Sequence, residues 1–279
     1  MAIILALFSG ALWGSADFEA GRLAKKFPAI AVTGVTQAFG LLFGLLIVAA
    51  TGDWHASAFG NVGYFFPAVL AGISGYFGLV CLYAGLATGR MGVVSPISST
   101  CAVIPVTIAL LSGEQLPVVK GAGIAIALIG AFMASGPEIR GGVTPRPILL
   151  AVGAAIGFGT ALNFMAEGSR SSALLTMVMM RCTTLIISLA ILAKYRNVGG
   201  FTRFEMPRLV YIGVSDFSAN LLLGIASTQG LVSIVMALGS LFPIMTAVLA
   251  FYILHERLHR VQYFGIAFAV AGVALISGS

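Results

Sequence analysis

Long apolar runs alternate with short polar connectors along the whole 279-residue chain. A helix that crosses a membrane needs about 20 mostly apolar residues, and ten runs are long enough. The pattern therefore predicts an all-α membrane protein with ten transmembrane helices. The predicted spans cover residues 2–21, 28–50, 63–87, 91–111, 118–136, 147–167, 173–193, 208–229, 232–254 and 261–278.

The composition agrees with a protein built for lipid. Hydrophobic residues make up 59% of the chain and charged residues 9%, whereas a soluble domain has about 25% charged residues. The three cysteines lie inside apolar runs and are odd in number, which argues against a disulfide framework. The first apolar run lacks a basic segment before it, so we interpret it as a retained span rather than a signal peptide.

Lysine and arginine are concentrated in alternate connectors. Of the 15 basic residues, 12 lie in the loops after spans 1, 3, 5, 7 and 9. Basic residues are enriched in cytoplasmic loops, so we expect these five loops in the cytoplasm and both termini outside a cell membrane (plasma or inner). The basic residues form no stripe with interleaved aromatics, so we expect the lipid bilayer, and not nucleic acid, as the surrounding partner.

An internal repeat becomes visible when Glu114 is aligned with Glu256. The segment "GEQLPVVKGAGIAIALIGAFMASG" (113–136) then lies over "HERLHRVQYFGIAFAVAGVALISG" (255–278), with several glycines in register. Earlier in each half, "SGALWGSADF" lies over "AAIGFGTALN". The alignment predicts two repeats, one in each half of the chain.

The two predicted repeats are residues 1–140 and 141–279, with five helices each. An odd number of spans makes the second repeat enter the membrane upside down relative to the first. Inverted repeats are characteristic of secondary transporters, whose substrate site lies near the membrane midplane between the repeats. The arrangement predicts a central cavity between the two halves.

Several of these features resemble the EamA family of the drug/metabolite transporter superfamily. They are the Trp13-Gly14 pair, the Glu after spans 4 and 9, and the glycine-rich spans 5 and 10. The resemblance covers nearly the whole chain. It implies a transporter of a metabolite, such as a permease or exporter, and it does not identify the substrate. Together with the repeats and the charged residues described below, it leads us to expect a carrier, not an enzyme, that moves a small polar or zwitterionic metabolite such as an amino acid by alternating access, without cofactor or metal.

The family's helix-bending proline shows one departure from the pattern. It is present as Pro243 in the second half and is replaced by Cys101 in the first half. Pro96 and Pro105 lie close by, and we expect them to bend span 4 instead.

An alternative function is raised by His255-Glu256-Arg257-Leu258-His259, which has the H-E-x-x-H spacing of zinc proteases. It would make the chain a zinc-dependent intramembrane enzyme. However, Glu256 repeats as Glu114, which has no flanking histidines, and no third metal ligand follows His259. We therefore interpret the stretch as a connecting loop without metal.

Polar residues inside spans indicate a substrate site because their burial in lipid is costly. At about 1.5 Å rise per residue, Arg181, Asp216 and Asn220 lie at similar depths in spans 7 and 8. The charges would neutralise each other in an empty site, and an anionic or zwitterionic substrate would compete for the arginine. The alternative is a permanent ion pair between the spans. Gln37 falls near Arg181 in the repeat alignment.

Other polar and aromatic residues have two interpretations each. Asp17 either titrates in a proton-coupled cycle or pairs with Arg22 or Lys25 at the cytoplasmic end of span 1. Asn163 and Glu167, one turn apart near the outer end of span 6, either gate the site or cap the helix. Aromatic side chains of the spans either line the cavity or face lipid and core; those considered are Trp13, Tyr76, Tyr83 and Phe158.

Overall fold

The structure is a computed structural model that describes residues 1–60, 63–86, 91–136, 145–195, 199–255 and 258–278. All regular secondary structure in these ranges is helical. Within them, seven helical segments are long and apolar enough to cross a membrane, which confirms an all-α, multi-pass membrane fold. The helices are α1 (Ala2–Ala24), α2 (Ala29–Thr51), α3 (Phe65–Leu86), α4 (Met91–Ser98), α5 (Val103–Leu111), α6 (Val118–Ala134), α7 (Pro145–Tyr195), α8 (Met206–Gln229), α9 (Val232–Gly239), α10 (Phe242–Leu254) and α11 (Arg260–Gly278).

The long helix α7 is broken at Ser172. Its 51 residues would extend about 75 Å, more than twice the thickness of the hydrocarbon core of a bilayer, about 30 Å. Ser172 has an extended backbone (φ −157°, ψ 117°), and its Oγ accepts a hydrogen bond from Leu175 N at 3.1 Å. Ser172 therefore acts as the N-cap of a second helical arm. The break lies between the predicted spans 6 and 7.

Two of the predicted spans are interrupted near their middle. A 3₁₀ turn at Ser99–Ala102 separates α4 from α5, and Ser240 and Leu241 separate α9 from α10. Proline lacks an N–H and disturbs the helical ladder, and each break has a proline nearby. Irregular backbone at membrane depth is tolerated where it lines a cavity or contacts protein. The nearby prolines are Pro96, Pro105 and Pro243.

Helices α6 and α11 pack backbone to backbone through glycines. A Cβ added to Gly265 would lie 2.3 Å from Ala134 N, and one added to Gly272 would lie 2.6 Å from Ala127 N. The later glycine of α11, Gly272, contacts the earlier residue of α6, Ala127. The two helices are therefore antiparallel. Small residues permit this close approach of helices in a membrane.

The glycines of the two repeat-aligned motifs near residues 14 and 159 make similar contacts. A Cβ on Gly14 would lie 2.3 Å from Phe242 O at the start of α10. A Cβ on Gly159 would lie 2.5 Å from Cys101 O in the 3₁₀ turn. Each glycine therefore lets its helix approach an interrupted span closely.

Contacts between connectors group the loops at the ends of the bundle. The rings of Phe27 and Phe201 lie 4.8 Å apart, so the α1–α2 and α7–α8 connectors meet. Ser171 Oγ donates to Ser57 O at 2.9 Å, which joins the α2–α3 connector to the break in α7.

Glu114 connects the α5–α6 connector to the start of α9. Its carboxylate accepts hydrogen bonds from Val232 N at 2.8 Å and Ser233 N at 3.1 Å, and also from the Ser233 hydroxyl. A carboxylate at a helix N-terminus satisfies free N–H groups and complements the helix dipole. Glu256, its partner in the predicted repeat, lies outside the described residues.

Candidate functional site

A cavity of about 100 Å³ lies inside the bundle. Its walls come from α1, α2, α3, α7 and α8, from the 3₁₀ turn, and from the α9–α10 break. Most of the wall is apolar, and it includes Leu79, Phe158, Leu162, Met165, Met180 and Phe242. Polar side chains on the wall come from Trp13, Asp17, Gln37, Arg181, Thr184, Asp216 and Asn220, and from Ser240 at the α9–α10 break.

An ion pair between α7 and α8 occupies the polar part of the wall. Arg181 Nη2 lies 2.7 Å from Asp216 Oδ2. The arginine is 3% exposed, whereas the side chain of Asp216 is 24% exposed. Arg181 and Asp216 were predicted to share this depth, and the structure brings them into contact.

Gln37 on α2 connects both members of the ion pair. Its Oε1 accepts a hydrogen bond from Arg181 Nη1 at 2.6 Å, and its Nε2 donates to Asp216 Oδ2 at 3.3 Å. The amide thus presents its acceptor to the cation and its donor to the anion.

The second oxygen of Asp216 is also bound. Trp13 Nε1 donates to Asp216 Oδ1 at 3.0 Å, and Asn220 Nδ2 donates to the same atom at 3.2 Å. Asn220 lies one turn after Asp216 on α8 and also donates to its backbone oxygen at 2.7 Å. Each carboxylate oxygen therefore has a hydrogen-bond donor, and the donors come from α1, α2 and α8 itself.

Glycines allow α2 and α8 to approach beside these side chains. A Cβ on Gly213 would lie 2.4 Å from Thr36 O, and one on Gly40 would lie 3.0 Å from Gly213 O. Thr36 directly precedes Gln37, and Gly213 is one turn before Asp216. The close approach places Gln37 within reach of both charges.

Thr184 is a site residue that the sequence reasoning missed. It lies one turn after Arg181, and its Oγ1 is 3.1 Å from Gln37 Oε1 and 3.0 Å from Arg181 O, to either of which it donates. Thr184 follows Arg181 by three residues and therefore lies on the same helical face. This spacing was the feature of the sequence that could have identified it as a site residue.

Arg181 retains an unused donor nitrogen. Nη2 is close enough to Asp216 for an ion pair, but its hydrogens do not point at the carboxylate. Among the described residues no group accepts a hydrogen bond from this buried atom. A guanidinium can donate five hydrogen bonds, but Nη2 is buried, so a further acceptor reaches it only where the surrounding side chains move.

Asp17 lines the same cavity without a bonding partner among the described residues. Arg22, one of the partners considered for it, instead binds Glu19 Oε1 through Nη1 at 2.7 Å. Lys25, the other, is exposed at the end of α1. The structure therefore places Asp17 on the cavity wall and not in an ion pair at the mouth.

The remaining predicted site residues lie elsewhere. Asn163 is half-buried and Glu167 is exposed, and neither is part of the cavity wall. Tyr76 is buried outside that wall. The side chain of Tyr83 lies outside the described residues.

The H-E-x-x-H stretch forms a connector. His255 ends α10 with a left-handed backbone (φ 55°), and α11 begins at Arg260. His255 and His259 are exposed and do not share one helical face, whereas Glu256 lies outside the described residues. The described part of the chain contains no group of three His, Cys, Asp or Glu side chains placed to hold a metal.

An apolar helical bundle with charged side chains on the wall of an internal cavity is typical of multi-pass membrane transporters. The model of the EamA-like transporter family matches residues 1–136 and 145–278. The chain therefore belongs to this family, as its motifs predicted.

Two individual proteins are similar to the chain. An uncharacterised protein of Methanocaldococcus jannaschii is 28% identical over 130 residues, which cover 47% of this chain and 95% of that protein. A solved crystal structure superposes with a TM-score of 0.80 and 17% identity, and the match covers 98% of this chain and 95% of the other. At that identity the second likeness concerns the fold alone.

Proposed function

We propose that the chain is a carrier that moves a small polar or zwitterionic metabolite, such as an amino acid, across the cell membrane by alternating access. The observation that carries this proposal is the buried Arg181–Asp216 pair on the wall of an internal cavity. Charged groups inside a membrane bundle are costly and typically mark a substrate or ion pathway. The retained donor of Arg181 supplies a binding group for a carboxylate.

The transport cycle that we propose uses two inverted halves, 1–140 and 141–279, with ten crossings in all. Three observations support this. The repeat-aligned helices α6 and α11 pack antiparallel through matching glycines. Gly14 and Gly159 contact interrupted spans in equivalent ways. The archaeal relative is matched almost completely by about half of this chain, as expected if one repeat is a unit.

Substrate binding starts from a neutralised site in this proposal. Asp216 balances Arg181 when the cavity is empty, while Gln37 and Trp13 hold the aspartate in place. Movement of the surrounding side chains exposes Arg181 Nη2, which is buried in the empty site, and the carboxylate of the entering substrate then accepts hydrogen bonds from it. A cavity of about 100 Å³ is smaller than the roughly 300–1,000 Å³ of common ligand sites, so we expect a compact substrate.

The alternative of a zinc enzyme finds no support in the geometry of its motif. The two histidines lie on a connector between α10 and α11, whereas the zinc-protease motif needs them one turn apart on a helix. We keep the transporter as the single proposed function.

Reconstitution tests the proposal. Purified protein is reconstituted into liposomes, and the liposomes are loaded with unlabelled amino acids and other small metabolites. Uptake of the same compounds in labelled form is then measured as counterflow. We expect saturable counterflow of at least one compound. Because the Arg181 donor is lost, Arg181→Gln should reduce the rate by about tenfold or more.

Arg208→Gln is the matched control. The side chain of this arginine is 48% exposed, and its distance of 3.9 Å from Glu19 is too long for a tight ion pair. Removal of its charge should therefore leave the counterflow rate within about twofold. Absence of saturable flux for every compound with folded protein, or equal loss in both variants, would overturn the proposal.

A further inference from the structure

The charges on the cavity wall do not balance. Among its described lining residues there are one cation, Arg181, and two carboxylates, Asp17 and Asp216. Asp216 is bound by Arg181, Gln37 and further donors on both oxygens. Asp17 is therefore the carboxylate without compensation.

An uncompensated carboxylate in an apolar cavity has a defined chemical requirement. An isolated ionised group is unstable away from water, so it must hold a proton or have a cation beside it. The basic residue nearest to Asp17 along α1, Arg22, is paired with Glu19. Asp17 must therefore hold a proton or bind a cation that comes from outside the protein.

The surroundings of Asp17 fit an organic cation better than a hydrated metal ion. Trp13 lies one turn before Asp17 on α1, and its ring packs edge-on against Phe242 with centroids 6.4 Å apart. Both rings are on the cavity wall, and aromatic rings attract ammonium groups. Most of the remaining wall is aliphatic, aromatic or sulfur-containing. The oxygens of Gln37 and Asp216 already contact Arg181, whereas hard metal ions need several oxygen ligands.

We propose that Asp17 binds the ammonium group of the substrate, so that the cavity takes small amines or amino acids with a compact aliphatic body and exchanges them for a proton. This inference rests on the proposed carrier function. In the empty site an Asp17 oxygen holds a proton. When the ammonium ion of an amine enters, that proton leaves to water, and the net charge of the cavity stays the same. An amino acid releases the same proton and adds the negative charge of its own carboxylate to the cavity.

The other charged and titratable groups around Asp17 do not offer the same exchange. On α8, Asp216 is bound to Arg181 of α7, and on α1, Glu19 is bound to Arg22. The Tyr211 hydroxyl donates to Ser15 Oγ. The remaining group, the Cys101 thiol on the 3₁₀ turn, is neutral in its ordinary form.

Four compounds of four carbon atoms test the charge of the ligand at constant size. They are n-butylammonium (cation), L-2-aminobutyrate (zwitterion), butyrate (anion) and 1-butanol (neutral). Binding to the purified full chain in detergent is measured by isothermal titration calorimetry. We expect the two ammonium compounds to bind, and butyrate and 1-butanol to bind at least about tenfold more weakly.

Asp17→Asn removes the charge and keeps the shape of the side chain. It should weaken the binding of n-butylammonium and L-2-aminobutyrate by about tenfold to a hundredfold. Glu19→Gln, which removes another α1 carboxylate whose partner is Arg22, should leave both affinities unchanged. Preference for butyrate, failure of both ammonium compounds to bind, or unchanged affinity in Asp17→Asn would overturn the inference.

Proton release gives a second measurement that does not depend on a variant. Titration of the unsubstituted chain with n-butylammonium in buffers of different ionisation enthalpy should show release of up to one proton between about pH 5 and 8. Release of no proton across this range contradicts the exchange. If counterflow of an anion proceeds and is unaffected by Asp17→Asn, this inference fails while the proposed carrier function stands.

Discussion

At the scale of single residues, Asp216 organises the polar site. Its carboxylate accepts hydrogen bonds from Trp13 on α1, Gln37 on α2 and Asn220 on α8. It also forms an ion pair with Arg181 on α7. Each donor alone contributes little, but a buried charge that loses its partner costs several times more than the pair contributes. The site therefore depends on the pair as a unit.

A double-mutant cycle measures this dependence. Arg181→Gln and Asp216→Asn each leave one charge without its partner. Because Asp216 is partly exposed, each should lower the free energy of unfolding by about 1–3 kcal/mol. The double variant, which leaves no charge, should be more stable than the sum of the single losses predicts. Thermal unfolding in detergent measures all four proteins, and strictly additive losses would contradict the coupling.

The sequence could group some of these residues and could not group others. Arg181, Asp216 and Asn220 could be grouped because helical rise fixes depth along a span and spacing of four residues fixes a face. The sequence could not show that Trp13 and Gln37 reach the carboxylate of Asp216, because the rotation of one helix against another depends on packing. The same reason explains why Asn163 and Glu167 lie off the cavity wall.

At the scale of elements, glycines determine which helices touch. Gly265 on α11 lies against the backbone of Ala134 on α6, and a backbone cannot move aside as a flexible side chain can. Interrupted helices are a second feature that shapes the bundle. The breaks between α4 and α5 and between α9 and α10 place irregular backbone beside the cavity. The glycine-rich pattern predicted close packing, but only the structure identifies the partners.

Substitution of Gly265 tests the α6–α11 contact. In Gly265→Ala the new Cβ would lie 2.3 Å from Ala134 N, so the helices must separate, and we expect a loss of about 1–3 kcal/mol in the free energy of unfolding. Gly121→Ala on α6 is the control, since its Cβ would meet only Leu116 at 3.6 Å. Equal thermal stability of the two variants would show that the contact is not as close as described.

A further prediction concerns Glu114 at the N-terminus of α9. Glu114→Gln replaces the carboxylate that accepts from Val232 N and Ser233 N, and the loss of charge at the helix N-terminus should cost about 1 kcal/mol. Gln115→Ala, at the exposed neighbouring position, should have no effect on thermal unfolding. A Glu114→Gln protein as stable as the unsubstituted chain would exclude this role of the glutamate.

At the scale of the whole molecule, the connectors form two sets. Phe27 lies against Phe201, and Ser171 is bonded to Ser57. If the halves are inverted repeats, the loop at Phe27 and the loop at Ser171 are equivalent positions on opposite sides of the membrane. The number and order of the apolar runs predicted this arrangement, because each crossing reverses the side on which the next loop lies.

Side-specific cysteine labelling in intact cells tests the inverted arrangement most directly. Single cysteines are introduced at Lys26, Thr202, Ser57 and Ser171 in a chain whose three native cysteines are replaced, and a membrane-impermeant thiol reagent is added before or after permeabilisation. Lys26→Cys and Thr202→Cys should react only after permeabilisation, and Ser57→Cys and Ser171→Cys should react before it. Labelling of Lys26→Cys and Ser171→Cys from the same side would contradict the inverted halves and, with them, the alternating-access carrier.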